Sequence, residues 1–342
     1  MRVLHMNLPI GGYDIYLERG ALDRAGELFS LDRRVLIVTD DGVPAEYARC
    51  VAGQCREAHI VTVPQGEGSK CFSTFEMLCR TLLEKGFTRS DCVVAVGGGV
   101  VGDLTGFAAA SYMRGIDFYN IPTTVLSQVD SSIGGKVAID LDNVKNIIGA
   151  FYQPRAVLID PDVLKTLPRR QIANGLAEAV KMSLTSDAEL FELFEAGKGE
   201  SEIDTVIERS LRIKKAVVEQ DEKETGLRRV LNFGHTLGHG IEGAEELHGL
   251  YHGECVALGM LPMCSDQVRV RLIRVLQSLG LPTEIKGDLE AMLTIASHDK
   301  KCDGSAISVV YVNAVGSFEI SKMPTEEWKT MIRSTLGEGR LA

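Results

Sequence analysis

Cys92-Val93-Val94-Ala95-Val96-Gly97-Gly98-Gly99-Val100-Val101-Gly102 is the stretch on which the fold turns. Its first five residues form a short apolar run rich in valine, which reads as a strand. Three glycines stop that run, and Asp103-Leu104-Thr105-Gly106-Phe107-Ala108-Ala109-Ala110 continues with small side chains that suit a helix packed tightly on a sheet. The glycines satisfy G-x-G-x-x-G between a predicted strand and a predicted helix, the context in which that pattern has meaning. Glycine lets the backbone approach a diphosphate, whose charge a helix N-terminus favours. The alternative is a tight strand-to-helix turn that holds no ligand. The acidic ribose partner expected about 20 residues further on is not clearly placed, because Asp117 precedes the next strand, so the unit is not a standard dinucleotide fold.

Working outward, residues 35–39 read as a buried strand ending in Asp40-Asp41-Gly42, and residues 59–64 as another. Phe75, Leu78, Cys79 and Leu82 recur at helical spacing before the glycine-terminated strand, which completes a βαβ pattern and predicts a parallel sheet. Further strands are expected at 118–121, 136–141 and 156–159. From about residue 167 the pattern changes to long helices, such as 203–219 and 253–274, with a late strand pair at 306–313 and 317–320. The fold class predicted is an α/β N-terminal nucleotide-binding domain with a parallel sheet, residues 1–165, followed by a mainly α-helical domain, residues 166–342.

Composition narrows the function classes. The chain has 342 residues, 45% hydrophobic, and a net charge of -10, which argues against nucleic acid or an anionic membrane as partner. No window approaches the roughly 18 apolar residues of a membrane span, and the first residues lack the apolar core of a signal peptide, so a cytoplasmic location is expected. Eight cysteines are scattered without a C-x-x-C pair, which predicts reduced thiols and no sulfur-ligated metal.

A second constellation lies in the helical half. Leu231-Asn232-Phe233-Gly234-His235-Thr236-Leu237-Gly238-His239-Gly240-Ile241-Glu242 places two histidines four apart, on one helix face, and His252-Gly253-Glu254 supplies a third imidazole. Upstream, Glu178 and Lys181 stand three apart inside an otherwise apolar helix, where unpaired charge is costly. Two or three imidazoles with one carboxylate is the ligand set of a catalytic zinc with an open position. The plainer alternatives are hydrogen-bonded core histidines and a surface ion pair.

Val129-Asp130-Ser131-Ser132-Ile133-Gly134-Gly135-Lys136, Lys145-Asn146-Ile147-Ile148-Gly149-Ala150-Phe151, the Glu178 and Lys181 helix, the Asn232 to His239 block, His252-Gly253-Glu254 and Asp299-Lys300-Lys301 together resemble the 3-dehydroquinate synthase family of sugar phosphate cyclases, in order and spacing, from about residue 35 to 316. The resemblance implies an enzyme that uses NAD and one divalent metal, zinc or cobalt, to convert 3-deoxy-D-arabino-heptulosonate 7-phosphate, a phosphorylated sugar acid, into 3-dehydroquinate and phosphate. It implies Glu178, His235 and His252 as metal ligands. For substrate it implies Arg114, Asp130, Lys136, Lys145, Asn146, Lys181, Lys214, Arg228, Asn232, His239 and one of Lys300 or Lys301, with Arg114 reaching in from a second subunit of a homodimer. For NAD it implies Asp40, Glu67, Lys70, Gly98, Gly99, Asp103, Thr123, Thr124, Lys145 and Thr166. The catalytic set expected from it is His239, Lys136, Lys181, Asn146 and Glu178, with His239 shuttling protons or holding a hydrogen bond behind the metal.

The many cations on that list suit a substrate bearing both phosphate and carboxylate. Rival readings are a cyclase acting on sedoheptulose 7-phosphate or glucose 6-phosphate, a metal-dependent polyol dehydrogenase, and a nucleotide-binding regulatory protein without catalysis.

Overall fold

The computed structural model describes residues 1–9, 11–142, 144–244, 249–297, 302–303 and 306–336. The chain divides into two compact units, Met1–Pro168 and Arg169–Ala342.

In the first unit seven strands form one sheet: β1 (Arg2–Met6), β2 (Tyr13–Leu17), β3 (Arg34–Asp40), β4 (Glu57–Val63), β5 (Cys92–Gly97), β6 (Asp117–Pro122) and β9 (Ala156–Ile159). Their order is β1-β2-β9-β6-β5-β3-β4. All neighbours run parallel except β1 with β2. Helices cover both faces, so the central strands need apolar side chains on each. In β3, Val35 and Ile37 enter one core while Leu36 and Val38 enter the other; in β5, Val94 and Val96 oppose Val93 and Ala95 in the same way.

The helices of this unit are α1 (Ala25–Leu28), α2 (Ala45–Ala52), α3 (Phe72–Glu84) and α4 (Gly99–Ser111). The small residues of α4 are required by close approach. A Cβ at Gly102 would stand 3.2 Å from Asn120 Nδ2, and one at Gly106 would stand 3.1 Å from Phe118 Cε1 and overlap Val137. Residues 136–141 do form a strand, but not in the main sheet. This strand, β7 (Lys136–Leu141), pairs antiparallel with β8 (Val144–Phe151) as a separate hairpin. The hairpin's inner strand lies against α4, and its outer strand is almost wholly exposed.

The second unit contains α5 (Arg169–Ser186), α6 (Ala188–Glu195), α7 (Ile203–Gln220), α8 (His235–Ala244), α9 (His252–Met260), α10 (Asp266–Ser278), α11 (Leu289–Ser297) and α12 (Thr325–Leu336), with β10 (Cys302–Asp303), β11 (Ala306–Tyr311) and β12 (Glu319–Pro324) as a small antiparallel sheet. The single helix expected over 253–274 is broken. Pro262 lies in a tight turn, Leu261–Met263, and Ser265 restarts the chain as α10 by accepting a hydrogen bond from Val268 N. The second strand of the late pair starts later than expected, because Ser317 N donates to Ala314 O in the connecting turn. Among the described residues no helix is long and apolar enough to cross a membrane.

Candidate active site

Every residue of α5 from Ala173 to Thr185 is buried, so Glu178 and Lys181 form an interior pair and not a surface one. Their side chains are 1% and 2% exposed, and Lys181 Nζ contacts Glu178 Oε2. The other carboxylate oxygen faces two imidazoles: Glu178 Oε1 stands 3.7 Å from His235 Nε2 and 3.5 Å from His252 Nε2. Ligand atoms of Glu178, His235 and His252 all lie within 4.8 Å of one another.

Glycines bring these three elements together. Gly253 N donates to Asn174 Oδ1 at 2.7 Å, and any Cβ at Gly253 would overlap the carbonyl oxygen of Asn174. Asn174 lies one helical turn before Glu178, so this contact sets His252 beside the carboxylate. Between α8 and α9, a Cβ at Gly238 would meet Cys255 O at 3.2 Å, and one at Gly259 would meet Gly238 N at 2.8 Å. Against α11, a Cβ at Gly240 would stand 2.9 Å from Ala296 Cβ. Glu254 is no ligand. It takes both Nε and Nη2 of Arg170 at 2.7 Å and accepts from Tyr251 N at 2.7 Å, clamping the start of α9 onto the start of α5. In His252-Gly253-Glu254 the first residue offers a ligand atom, the second allows the close approach and the third clamps.

Each imidazole is also held from behind. His235 Nδ1 is 3.2 Å from Phe233 O, and His252 Nδ1 is 3.4 Å from Glu242 Oε2. Such partners orient ligating histidines and strengthen them as donors. Burial opposes a charge on His252, but Glu178 and Glu242 outweigh it and raise the imidazole to about 10. A site built from one carboxylate and two imidazoles fits a divalent metal of the zinc type. His239 completes a cluster of rings, 5.5 Å from His235 and 5.9 Å from His252.

Three further cations expected at the substrate are buried in this unit: Lys181, Lys214 on α7 and Arg228 in the turn Leu227–Asn232, the last 2% exposed. Asp221 shapes that turn, accepting from Thr225 N at 2.8 Å, Gly226 N at 2.7 Å and Arg228 N at 2.9 Å. Burial pulls its carboxyl upward, but these N–H groups bring it down to about 2. Asn232 Nδ2 donates to Glu224 Oε1, a carboxylate whose residue has a φ of 60°. Lys300 and Lys301 lie outside the described residues.

In the first unit, Gly98 caps α4 with no side-chain hydrogen bond, which leaves a bare backbone turn. A Cβ at Gly98 would stand 3.1 Å from Thr124 Cγ2, and one at Gly99 would stand 3.1 Å from Ser131 Oγ, next to Asp130. Thr123 N donates to Gly97 O at 2.9 Å. This cradle fits a diphosphate. Asp40, at the end of β3, accepts from Gly42 N at 2.9 Å and Val43 N at 3.1 Å; burial nevertheless holds its carboxyl above the ordinary value. Lys70 is a hub. Its ammonium contacts Asp103 at 2.9 Å and Glu67 at 3.3 Å and donates to Asn146 Oδ1. Burial favours the neutral amine, yet Asp103 and Glu67 hold Lys70 firmly protonated. So four residues expected at NAD or substrate meet in direct contact. Lys136 and Lys145 are exposed on the hairpin, and Arg114 is exposed after α4 with a φ of 67°. Thr166 is apart from that hub, with its Oγ1 3.1 Å from Tyr47 Oη. Asp117 is occupied structurally by Arg33 and Arg155.

The sequence pattern assigned no role to Glu242, Asn174, Glu254, Asp221 or Glu224. For Glu242 a signal was present, since it lies three residues after His239 and seven after His235 on the same helix face.

Residues 60–174 match the model of the 3-dehydroquinate synthase N-terminal region and 175–302 that of the C-terminal region. Curated 3-dehydroquinate synthases from Enterococcus faecalis and Streptococcus suis are 39% and 40% identical to the chain, covering 96% and 95% of it and 98% of each relative. Among solved structures, a 2-deoxy-scyllo-inosose synthase complexed with carbaglucose-6-phosphate, NAD+ and Co2+ matches with a TM-score of 0.88 at 26% identity, over 98% of this chain and 100% of that one. A 2-epi-5-epi-valiolone synthase from Streptomyces hygroscopicus with NAD+ and Zn2+ matches at 0.86 and 28%, over 98% and 99%. A probable glycerol dehydrogenase from Sinorhizobium meliloti, 20% identical with a TM-score of 0.65 over 98% and 99%, shares the fold alone. With family models spanning most of its length and close relatives along nearly all of it, the chain belongs to the 3-dehydroquinate synthase family.

Proposed function

We propose that this chain converts 3-deoxy-D-arabino-heptulosonate 7-phosphate to 3-dehydroquinate and phosphate, with Glu178, His235 and His252 holding one divalent ion and the glycine turn holding NAD. The observation that carries the reading is the convergence of those three ligand side chains around one point, backed by Phe233 and Glu242. In this reaction the substrate is oxidised at C5, loses phosphate across C6 and C7, is reduced again at C5 and closes by an internal aldol addition. A bound zinc or cobalt ion supplies Lewis acidity toward the C5 hydroxyl, and NAD a temporary hydride acceptor.

The protein's own side chains bind and orient. Lys181, Lys214 and Arg228 meet the anionic groups of the substrate, a role supported by the positive charge they bring to the interior of the unit that holds Glu178, His235 and His252. Asn232 and Asn146 orient hydroxyls, with Arg228 aligned by the turn that Asp221 holds. His239 moves the proton at the C5 oxygen, supported by its place beside both ligand imidazoles. Lys136, Lys145 and Asp130 serve the substrate as well, with Arg114 supplied by the second subunit of a homodimer in the cytoplasm. Asp40, Glu67, Lys70, Gly98, Gly99, Asp103, Thr123, Thr124, Lys145 and Thr166 serve NAD.

Phosphate release from the seven-carbon keto acid phosphate, assayed beside sedoheptulose 7-phosphate with absorbance of NADH followed in parallel, tests the whole. The expected result is release from the acid alone with no net NADH. Accumulating NADH without phosphate would instead identify a dehydrogenase.

A further inference from the structure

The two imidazoles expected at the metal are anchored differently. His235 is held by a backbone carbonyl and its side chain is 12% exposed. His252 is the first residue of α9, its side chain is 32% exposed, and the contact at its Nδ1 is the carboxylate of Glu242, itself only 16% exposed. A ring at a helix start with a third of its surface in solvent can turn about its Cβ–Cγ bond unless something fixes the far nitrogen. Glu242 sits where that is required. It rides on α8, the helix that carries His235 and His239, and α8 is locked to α9 and α11 through glycine contacts that admit no side chain.

We propose that Glu242 is a positioning residue for the metal: it fixes the ring of His252 through Nδ1 so that Nε2 faces Glu178, and it adds a second negative charge behind a site with one carboxylate ligand. The proposal rests on the reading that Glu178, His235 and His252 hold a divalent ion. Donor atoms of His239, Glu242 and His252 also fall within 4.8 Å of one another, so the carboxylate stands near both imidazoles. One side chain therefore spans a metal ligand and the proposed proton carrier. Removing such a partner weakens metal binding by about 10- to 100-fold.

The test uses full-length protein stripped of metal and titrated with Co2+ against a chromogenic chelator, with the visible d–d spectrum of the loaded protein recorded as a second readout. Glu242→Ala is expected to weaken Co2+ binding about 100-fold and to alter the d–d bands, and Glu242→Gln, which keeps an oxygen able to accept from Nδ1–H, about 10-fold. Thermal unfolding of the metal-free variants reports whether each folds; should the alanine variant fail, the isosteric glutamine variant decides. Affinity within twofold of wild type together with an unchanged spectrum overturns the proposal. His235→Asn, measured in parallel, separates the two levels. If it too binds like wild type, the metal site itself is misassigned; if it loses binding while Glu242→Gln does not, only the role of Glu242 fails.

Discussion

Replacing Gly253 by alanine should damage metal binding more than its distance from any ligand atom suggests. The new Cβ would stand 2.8 Å from Asn174 Oδ1 and 2.9 Å from Asn174 C, and would overlap Asn174 O. Real Cβ atoms do not come inside 3.0 Å, so the start of α9 must retreat from α5 by roughly 1 Å merely to clear Asn174 O. Overpacking of this kind costs about 1–3 kcal/mol. The bond from Gly253 N to Asn174 Oδ1 stretches as the helices part, adding about 1 kcal/mol. For a chain that unfolds in units of this size the sum corresponds to a drop in Tm of roughly 5–12 °C. Because ligand bonds tolerate about 0.2 Å, a retreat of that size also pulls His252 out of place and weakens the metal by well over tenfold. Gly53→Ala is the control: its Cβ would meet nothing nearer than 3.6 Å at a helical φ of -65°, so it should be neutral or slightly stabilising. Differential scanning calorimetry and Co2+ titration check both. A Gly253→Ala protein with wild-type Tm and wild-type metal affinity would refute the claim that this contact sets the ligand geometry.

Glu178→Gln should abolish metal binding and also destabilise, by about 3–5 kcal/mol, because Lys181 is left in the interior without its carboxylate. Adding Lys181→Met should restore much of that stability but none of the metal, as chemical denaturation and atomic absorption would reveal; metal recovered in the double variant counts against Glu178 as ligand. Arg228→Ala should raise KM for the sugar acid about 10- to 100-fold while the Kd for NAD moves less than twofold, and equal losses would count against its assignment. Asp221 has a folded pKa of about 2, below the ordinary 3.8, so its contribution is complete above about pH 4 and fades as pH falls toward 2. Urea unfolding should therefore find Asp221→Asn less stable than wild type at pH 7, with the gap closing at low pH; a gap that widens on acidification would contradict the bonds drawn to Thr225, Gly226 and Arg228.

Features set by local pattern were readable from the residues. The valine run 92–96 and the glycines after it specify strand and turn whatever surrounds them, and the two histidines four apart specify one helix face. Features that depend on remote partners were not. Nothing in Lys136 to Leu141 says that the strand pairs with its successor and leaves the main sheet, and the short N-terminal strands β1 and β2 carry too few residues for their alternation to stand out. The apolar spacing across 253–274 continues through Pro262, so periodicity alone ran two helices into one although the breaker was in plain sight. Ligand types at the metal could be recognised by chemistry, whereas Gly253, Glu254 and Glu242 acquire their meaning only once α5, α8 and α9 are packed.

The ammonium of Lys70 joins acids expected at NAD to Asn146, and Asn146 holds a φ of 52° near the tip of the β7–β8 hairpin. A left-handed asparagine is sustained by its neighbours, here also by Asp140, which accepts from Asn146 N at 2.7 Å. A dinucleotide bound as proposed would therefore share a single positive charge with the hairpin. Any ligand that draws Lys70 aside slackens the hairpin, and by thermodynamic reciprocity whatever tightens the hairpin must retune the hold on that ligand.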